Sequence, residues 1–381
     1  MKGCAFIASI KTGSKRVSKL ESADLTIADY VGIVLNVGNV GSVNAFNPAA
    51  SVSVPHEGSG QCHLTLYREV SHINPKKRKR KKKVTGGSSG IGKCMAIIAA
   101  KKGANVTIIA RNKQNLEKAK EEILQACENK DTQRVECLSL NIGMDYLTVE
   151  KALANLENVM GPIYMLVNCA GLAIAGKIED TTPENLDDMI RTNFLGTYYC
   201  IKAVTPRMKA SKEGVIVLVS SQAGLLGIFG YTAYSGTKFA LRGLAESLEM
   251  ELRPHGISVT LSLPPDTDTP GFAVEELSKP METKVISQTV KLVQPEVVAE
   301  KTFKDALARR FFSTVGWEGF IIATLCAGMS PLTSCCELIL QSWLMGVLRL
   351  IGVLYRNFFE RAIAKCNNCT NSEASEKVKE P

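Results

Sequence analysis

Three residues in the middle of the chain have side chains and spacing suited to proton transfer. Tyr234 and Lys238 are four residues apart, and Ser221 precedes the tyrosine by thirteen. Positions i and i+4 of a helix share a face, so Tyr234 and Lys238 are expected to point into one cleft. A tyrosine with its ordinary pKa of about 10 exchanges protons poorly at neutral pH, and a neighbouring ammonium lowers that pKa because it favours the phenolate. Since a serine hydroxyl can polarise a carbonyl oxygen, the spacing predicts acid–base chemistry on a carbonyl group.

A glycine-rich turn far upstream predicts a site for a phosphate group. Its residues are Gly86, Ser88, Ser89, Gly90, Ile91 and Gly92. Glycines let the backbone approach a pyrophosphate, and the start of the following helix offers free N–H groups and the positive end of a dipole. The serines add hydroxyl donors. Such turns are common, so this one carries weight only together with the residues downstream.

Two later positions extend this site toward a dinucleotide. The strand predicted over 105–110 ends at Arg111, whose guanidinium suits a 2′-phosphate and favours NADPH over NADH. The alternative is a solvated arginine at the start of a helix. Asn168, Ala170 and Gly171 end or follow another predicted strand. Small residues there would allow a flat ring and a ribose to approach closely.

The elements that must hold these residues alternate regularly from residue 84 onward. Apolar strands are predicted over 105–110, 135–140, 163–168, 215–220 and 257–263, and helices near 91–102, 112–128, 146–159, 184–210 and 233–253. Apolar strands separated by amphipathic helices are typical of a parallel sheet covered on both faces. The sequence therefore predicts a doubly wound α/β domain of the Rossmann type over residues 84–310.

The strand that should precede the glycine turn is the weak element of this scheme. Eight basic residues occupy 76–83, and Val84 alone remains of an apolar strand. That strand would lie in mid-sheet, where each buried, unpaired ammonium group costs several kcal/mol. Three explanations stay open: another segment such as 63–70 pairs there, the lysines stay outside and the domain is damaged, or residues 1–83 are a gene-model artefact joined to an enzyme. We favour the artefact.

The charge of the chain comes from the same basic run. The net charge is +9, and outside 76–83 there are 38 basic residues against 37 acidic ones. A general nucleic-acid-binding surface is therefore not expected. The run itself fits a nuclear import signal, a contact with an anionic surface, or a solvated tract. Twelve scattered cysteines indicate reduced thiols, and the pair Cys366 and Cys369 lacks the further ligands of a tetrahedral site, so no metal is predicted.

The region after the α/β domain is apolar and then polar. Residues 311–365 contain two apolar stretches, 320–340 and 338–354, which Pro331, Glu337 and Arg349 interrupt. Neither stretch is a clean span of about 20 uncharged residues. A membrane-embedded hairpin, an interfacial anchor and helices completing a dimer core are the alternatives, and we favour membrane association. The polar tail, 366–381, is expected to be disordered.

Taken together, these motifs resemble the short-chain dehydrogenase/reductase superfamily over about 84–310. The resemblance covers the glycine turn, the Asn168–Gly171 element and the serine, tyrosine and lysine, and it adds Asn193 within the segment 190–196. It implies that Tyr234 is the proton donor in a reduction, that Lys238 lowers the pKa of this tyrosine and binds the nicotinamide ribose, and that Ser221 steadies the carbonyl. Ser220 takes that role if the register slips by one.

The resemblance also assigns two asparagines. Asn193 would hold a water that links the lysine to solvent. Asn141 stands after the strand 135–140, where relatives commonly have an aspartate that contacts adenine. An amide can still form a hydrogen bond there, so we expect weaker cofactor binding rather than none. A homodimer through 184–210 and 233–253 is a further implication of the superfamily.

Longer strings resemble one narrower family, the 3-ketodihydrosphingosine reductases. They lie at 219–224, 227–235 and 264–272. This resemblance implies NADPH-dependent reduction of 3-oxosphinganine, a long-chain 3-keto base, to sphinganine at the cytosolic face of the endoplasmic reticulum membrane. That family usually begins with a transmembrane helix, and none is visible here. The rival hypotheses are a steroid or retinoid dehydrogenase, and a non-catalytic, damaged reductase fold that binds an anionic partner through 76–83.

Overall fold

The computed structural model describes the backbone of residues 52–54, 62–64, 82–332 and 334–377. The chain divides into two compact units, Met1–Arg68 and Glu69–Pro381. In the first unit, strand β1 (Val52–Val54) pairs antiparallel with β2 (Cys62–Leu64). The predictions made for the rest of residues 1–81, and for 378–381, lie outside the described residues.

The second unit is built on a seven-stranded parallel sheet. Its strands are β3 (Lys82–Thr85), β4 (Val106–Ala110), β5 (Val135–Ser139), β6 (Met165–Asn168), β7 (Gly214–Val219), β8 (Ile257–Leu263) and β9 (Phe312–Thr314), in the spatial order β5-β4-β3-β6-β7-β8-β9. The order reverses between β3 and β6, and ligands of open α/β sheets bind at such a switch point. The predicted doubly wound fold is confirmed.

Helices cover both faces of this sheet. They are α1 (Gly90–Lys101), α2 (Lys113–Gln125), α3 (Tyr146–Met160), α4 (Pro183–Met189), α5 (Gly196–Ser211), α6 (Thr232–Leu252), α7 (Pro270–Ser278), α8 (Met281–Ser287), α9 (Pro295–Leu307), α10 (Gly316–Leu325) and α11 (Cys335–Lys377). Alternating residues of each strand contribute to two apolar cores. One core joins β7 and β8 to α3, α5 and α6, and the other joins β3 and β4 to α1, α2 and α9.

The strand before the glycine turn does form, and it takes the central position. β3 pairs with β4 and with β6, and Val84 lies opposite Ile108 and Val167. The alternative that segment 63–70 fills this place is wrong for 63–64, because those residues pair with β1. A parallel ladder is made by backbone groups, so lysines at the start of the strand do not prevent pairing. The fully buried residues, Val84 and Thr85, stand at its end, next to the turn.

The part of the chain after residue 310 differs from the prediction in two ways. The sheet gains β9, which lies beyond the predicted end of the α/β domain and is only three residues long. Helix α11 runs on to Lys377, so the expectation of disorder is wrong for 366–377. Extending an existing helix avoids the cost of nucleation, which explains how a polar segment of modest helix propensity continues it.

The two apolar stretches form the helix pair α10 and α11, which pack against each other. The section Cys335–Cys366 of α11 is, within the described ranges, the one helix long and apolar enough to cross a membrane. Only 12% of an apolar 18-residue stretch within this section is buried against the rest of the protein. A helix that completes the core of its own domain would bury far more of this surface, so most of its apolar residues face outward.

Candidate active site

A large cavity of about 1360 Å³ opens at the carboxyl ends of β3, β4, β6 and β7. Most of the predicted cofactor residues line it: Gly86, Ser88, Ser89, Gly90, Ile91, Arg111, Asn141, Ala170, Gly171, Tyr234 and Lys238. Gly92, Asn168 and Asn193 lie behind its wall. The glycine turn, the ends of the central strands and the Tyr234–Lys238 pair thus share one space, as the sequence predicts.

The glycine turn needs its glycines because other backbone atoms lie very close. Gly86 has a φ of +66°, and a Cβ there would stand 2.7 Å from the backbone nitrogen of Ala170. A Cβ on Gly92 would stand 2.3 Å from the carbonyl oxygen of Gly86, so helix α1 packs directly on the turn. The turn therefore has no room for a side chain at either position, and such a bare backbone can approach a pyrophosphate closely.

Thr85 fixes this turn against the neighbouring strand. Its buried hydroxyl donates to the carbonyl oxygen of Val167 at 3.3 Å and accepts from the backbone N–H groups of Cys169 at 3.2 Å and Ala170 at 3.4 Å. The backbone N–H of Gly86 donates to the carbonyl oxygen of Ile109 at 2.9 Å. No local pattern in the sequence points to Thr85, because only the sheet order brings β6 beside it.

Two asparagines of the predicted cofactor site make internal hydrogen bonds. Asn168 is buried, and its Nδ2 donates to the carbonyl oxygen of Val217 at 3.3 Å, whereas its Oδ1 has no partner within the described structure. Asn141 lines the cavity, and its Oδ1 accepts from the backbone N–H of Gly143 at 3.1 Å. The glycine turn, which lines the cavity, fits a bound dinucleotide, whereas the Asn168 side chain is buried behind the cavity wall.

The serine, tyrosine and lysine meet at the ends of β7 and α6. The Ser221 hydroxyl lies close enough to Tyr234 to lower the pKa of its phenol, and it accepts from the backbone N–H of Ala223 at 3.1 Å. The neighbouring Ser220 donates its hydroxyl proton to the carbonyl oxygen of Lys238 at 3.0 Å and holds α6 against β7. The geometry therefore favours Ser221 over Ser220 as the serine that contacts a substrate.

Burial governs the acidity of both catalytic side chains. The Lys238 ammonium donates to the carbonyl oxygen of Val219 at 3.1 Å and stands 5.5 Å from the centre of the Tyr234 ring. Burial lowers the pKa of Lys238 to about 8. Burial, and then the charge of Glu275, raises the pKa of Tyr234 well above its ordinary value, against a lowering contribution from Ser221. Desolvation thus raises the pKa of Tyr234 and lowers that of Lys238, and the expected lowering of the tyrosine's pKa by Lys238 stays a prediction.

Asn193 connects two walls of the active-site cleft by hydrogen bonds. It lies in a π-helical turn, Ile190–Leu195, between α4 and α5. Its Nδ2 donates to the carbonyl oxygen of Leu172 at 2.9 Å and to the Thr237 hydroxyl at 2.9 Å, and its Oδ1 accepts from the backbone N–H of Leu172 at 2.7 Å. The side chain thus ties the loop after β6 to α6. Short π-helical turns within a helix are frequently found at functional sites.

Helix α7 closes the cavity over Tyr234 and brings in residues that no sequence pattern had identified. Tyr231 donates its hydroxyl proton to Glu275, and its ring centre lies 5.4 Å from that of Tyr234. Glu275 is also 3.2 Å from the ammonium of Lys279, which stacks over the Phe272 ring at 4.0 Å. No spacing rule connects Glu275 with Tyr234, because they are 41 residues apart and meet only through the packing of α7.

The far wall of the cavity is largely apolar and comes from the C-terminal helices. Helices α10 and α11 contribute the apolar side chains Ile321, Ile322, Leu325, Leu348, Ile351 and Phe359, and also the charged side chains Glu318, Arg349, Arg356 and Glu360. The cavity therefore runs from a polar end at the glycine turn, past Tyr234, to an end lined mostly by hydrocarbon. Such a shape suits a polar cofactor and an apolar substrate that meet at the tyrosine.

Comparison with known proteins decides the family. The family model described as short chain dehydrogenase matches residues 83–280. The chain belongs to the short chain dehydrogenase family. It is therefore an oxidoreductase, and the superfamily resemblance carried by Ser221, Tyr234 and Lys238 is confirmed.

Curated relatives show which members of this family the chain is similar to. The 3-ketodihydrosphingosine reductase of Bos taurus is 47% identical over 283 residues, which cover 74% of this chain and 85% of the relative. The 3-dehydrosphinganine reductase of Danio rerio is 45% identical over 306 residues, covering 80% of this chain and 92% of the relative. The narrower resemblance is thus also confirmed.

Solved structures of the family share the fold. A short-chain dehydrogenase from Streptomyces avermitilis superposes with a TM-score of 0.55 at 27% identity and covers 65% of this chain and 91% of its own. Another, from Sphingobium yanoikuyae in complex with NADPH, gives 0.54 at 26% identity, with 61% and 86% covered. These similarities support the Rossmann-type architecture and a nicotinamide cofactor.

Proposed function

We propose that this short chain dehydrogenase reduces the keto group of 3-oxosphinganine to give sphinganine, with NADPH as the reductant. The observation that carries the proposal is the continuous cavity in which Tyr234 stands between a dinucleotide cradle and an apolar wall. A long-chain 3-keto base needs both: a proton donor at the carbonyl and a hydrocarbon surface for its chain. The names of the relatives from Bos taurus and Danio rerio support the same substrate.

The residues of the cofactor end support NADPH. The backbone of Gly86–Gly92 would hold the pyrophosphate, because most residues of this turn and the start of α1 line the cavity. Arg111 would pair with the 2′-phosphate at the end of β4, where an acidic residue would instead bind a ribose hydroxyl. Lys238 would hold the nicotinamide ribose.

The reduction follows from the placement of three side chains. When bound, the cofactor supplies a hydride for the carbonyl carbon. Ser221 donates a hydrogen bond to the carbonyl oxygen and orients it, and Tyr234 transfers its phenolic proton to that oxygen as negative charge develops there. The raised pKa of Tyr234 keeps the phenol protonated before the reaction, as a proton donor requires. Lys238, with its ammonium beside the tyrosine, stabilises the phenolate that remains.

The apolar region supports a membrane location for the reaction. We infer a reductase domain over 84–310, a membrane-associated segment over 311–365 and a polar tail from 366. The section Cys335–Cys366 of α11 would contact the bilayer of the endoplasmic reticulum, with the active site on the cytosolic side. Exposed side chains on α5 and α6, such as Tyr198 and Phe239, are compatible with a homodimer through these helices.

The test is enzymatic. The full chain, purified with lipid or mild detergent, is expected to convert 3-oxosphinganine to sphinganine with NADPH, and Tyr234→Phe is expected to abolish the product while NADPH still binds. Retained activity in Tyr234→Phe would refute the mechanism. A preference for a steroid ketone or retinal over 3-oxosphinganine would overturn the substrate, and a protein that does not bind NADPH would be a non-catalytic relative.

A further inference from the structure

A carboxylate faces the reacting groups from the helix that covers them. Glu275 lies on α7 and lines the cavity, with its side chain 13% exposed. It accepts a hydrogen bond from the hydroxyl of Tyr231, whose ring packs against that of Tyr234. After burial, the charge of Glu275 is the largest cause of the raised pKa of Tyr234. This carboxylate therefore makes loss of the phenolic proton less favourable. Carbonyl reduction by Ser221, Tyr234 and Lys238 makes no use of it.

The cation beside Glu275 is the ammonium of Lys279, which also lies near two other carboxylates. Lys279 lies 3.2 Å from Glu275 and 3.9 Å from Asp266, and it also contacts Glu276. Asp266 lines the cavity as well, whereas Glu276 lines only a small pocket that adjoins it. A carboxylate drawn out of water is stabilised by each further cation that reaches it. The side of the cavity beside Tyr234 therefore suits a positively charged ligand group.

We propose that Glu275 binds the ammonium group of an amino ketone substrate and is the residue that selects for it. The inference rests on the proposed function, because in 3-oxosphinganine the carbon that bears the amine is bonded directly to the carbonyl carbon. An ammonium held by Glu275 places the carbonyl oxygen toward Ser221 and Tyr234. The alkyl chain, on the other side of the carbonyl, leaves toward the apolar wall of α10 and α11.

Two consequences follow for the reaction. Contact at the ammonium, the carbonyl and the chain fixes three points of the substrate, so one face of the carbonyl carbon is presented to the reductant. The substrate's positive charge also offsets the carboxylate beside Tyr234, which makes the phenol a stronger acid only when an amino ketone is bound. A steroid or retinoid ketone, which carries no amine, gains neither effect.

The experiment compares two ketones that differ in the amine. The probes are 3-oxosphinganine and 1-hydroxyoctadecan-3-one, which lacks the amino group, and each is reduced by the full-length protein with NADPH. Because a hydrogen bond between charged groups is lost, Glu275→Gln is expected to lower kcat/KM for the amino ketone about ten- to one-hundred-fold, with an unchanged or higher value for the ketone without the amine. Glu275→Asp, which keeps the charge, should recover part of the loss.

The matched control is Glu276→Gln, one residue away. It removes the same charge from the same helix and from the same lysine, outside the cavity, so both ketones should react as with the wild type. An equal loss for both ketones in Glu275→Gln, no loss for either, or the same selective loss in Glu276→Gln would each overturn the assignment.

The wild type supplies a measurement that does not depend on a folded variant. It is expected to favour the amino ketone by about ten-fold or more in kcat/KM, and equal values for the two ketones would refute the role of Glu275. Failure of the proposed function looks different, because the wild type would then reduce neither long-chain ketone.

Discussion

The hydroxyl of Thr85 is expected to contribute both to the stability of the protein and to its affinity for NADPH, and Thr85→Val tests this. Valine keeps the shape and removes a group that donates to Val167 and accepts from Cys169 and Ala170. Cys169 retains a second acceptor, the Thr85 carbonyl oxygen at 3.2 Å, so the N–H of Ala170 is the donor that loses its partner. An unsatisfied, partly buried N–H costs about 1–2 kcal/mol.

This loss should appear in two measurements. The free energy of unfolding in urea is expected to fall by about 1–2 kcal/mol, which corresponds to a drop in Tm of about 2–8 °C for a domain of this size. The affinity for NADPH, followed by its fluorescence, is expected to fall about five- to thirty-fold, because Gly86 and Ala170 both line the cofactor end. Thr85→Ser is the control, since it keeps the hydroxyl. If Thr85→Val matched Thr85→Ser in both stability and NADPH affinity, the role given to this hydroxyl would be refuted.

Two further predictions concern charged groups in the cavity. Arg111→Ser is expected to weaken NADPH binding about ten- to one-hundred-fold in a titration while NADH binding changes little, and an equal loss for both cofactors would contradict the 2′-phosphate role. Burial lowers the pKa of Lys238 from 10.5 to about 8, so below pH 8 the folded protein carries a desolvated ammonium. Between pH 8 and 10.5 the folded state sheds this proton and the unfolded state keeps it, so the cofactor-free wild type should gain about 3 kcal/mol of stability relative to Lys238→Met across that window. Urea unfolding at several pH values measures the gain, and a constant difference would show that Lys238 is not desolvated.

Periodicity and composition predicted most of the sheet and its helices, because long apolar strands separated by amphipathic helices allow one architecture. They failed at short elements. Strand β3 has four residues and two of them are lysines, so hydrophobicity suggested that it was lost, whereas backbone pairing on both sides was enough to form it. Strand β9 has three residues and belongs to the sheet only because α9 returns the chain to β8.

The candidate site likewise contains residues that could be predicted from the sequence and residues that could not. Residues joined by a local rule, such as Tyr234 with Lys238 or the glycines of the turn, could be predicted because the rule concerns neighbours on one helix or in one turn. Thr85 and Glu275 could not, because their partners are brought to them by the order of strands and by the packing of α7. The choice between Ser220 and Ser221 also needed the structure, since one residue of register decides which hydroxyl meets Tyr234.

Helix α11 has one more consequence, for the kinetics of the enzyme. Leu348 and Phe359 line the cavity, whereas Trp343, Leu350 and Leu354 of the same helix are exposed. Under the proposed membrane location these exposed side chains would lie in a bilayer, and α11 would then separate the cavity from the lipid phase. The substrate concentration that governs the rate is then the mole fraction of the keto base in the membrane plane. Adding inert lipid at constant total substrate should slow the reaction by surface dilution, even though nothing in the protein changes.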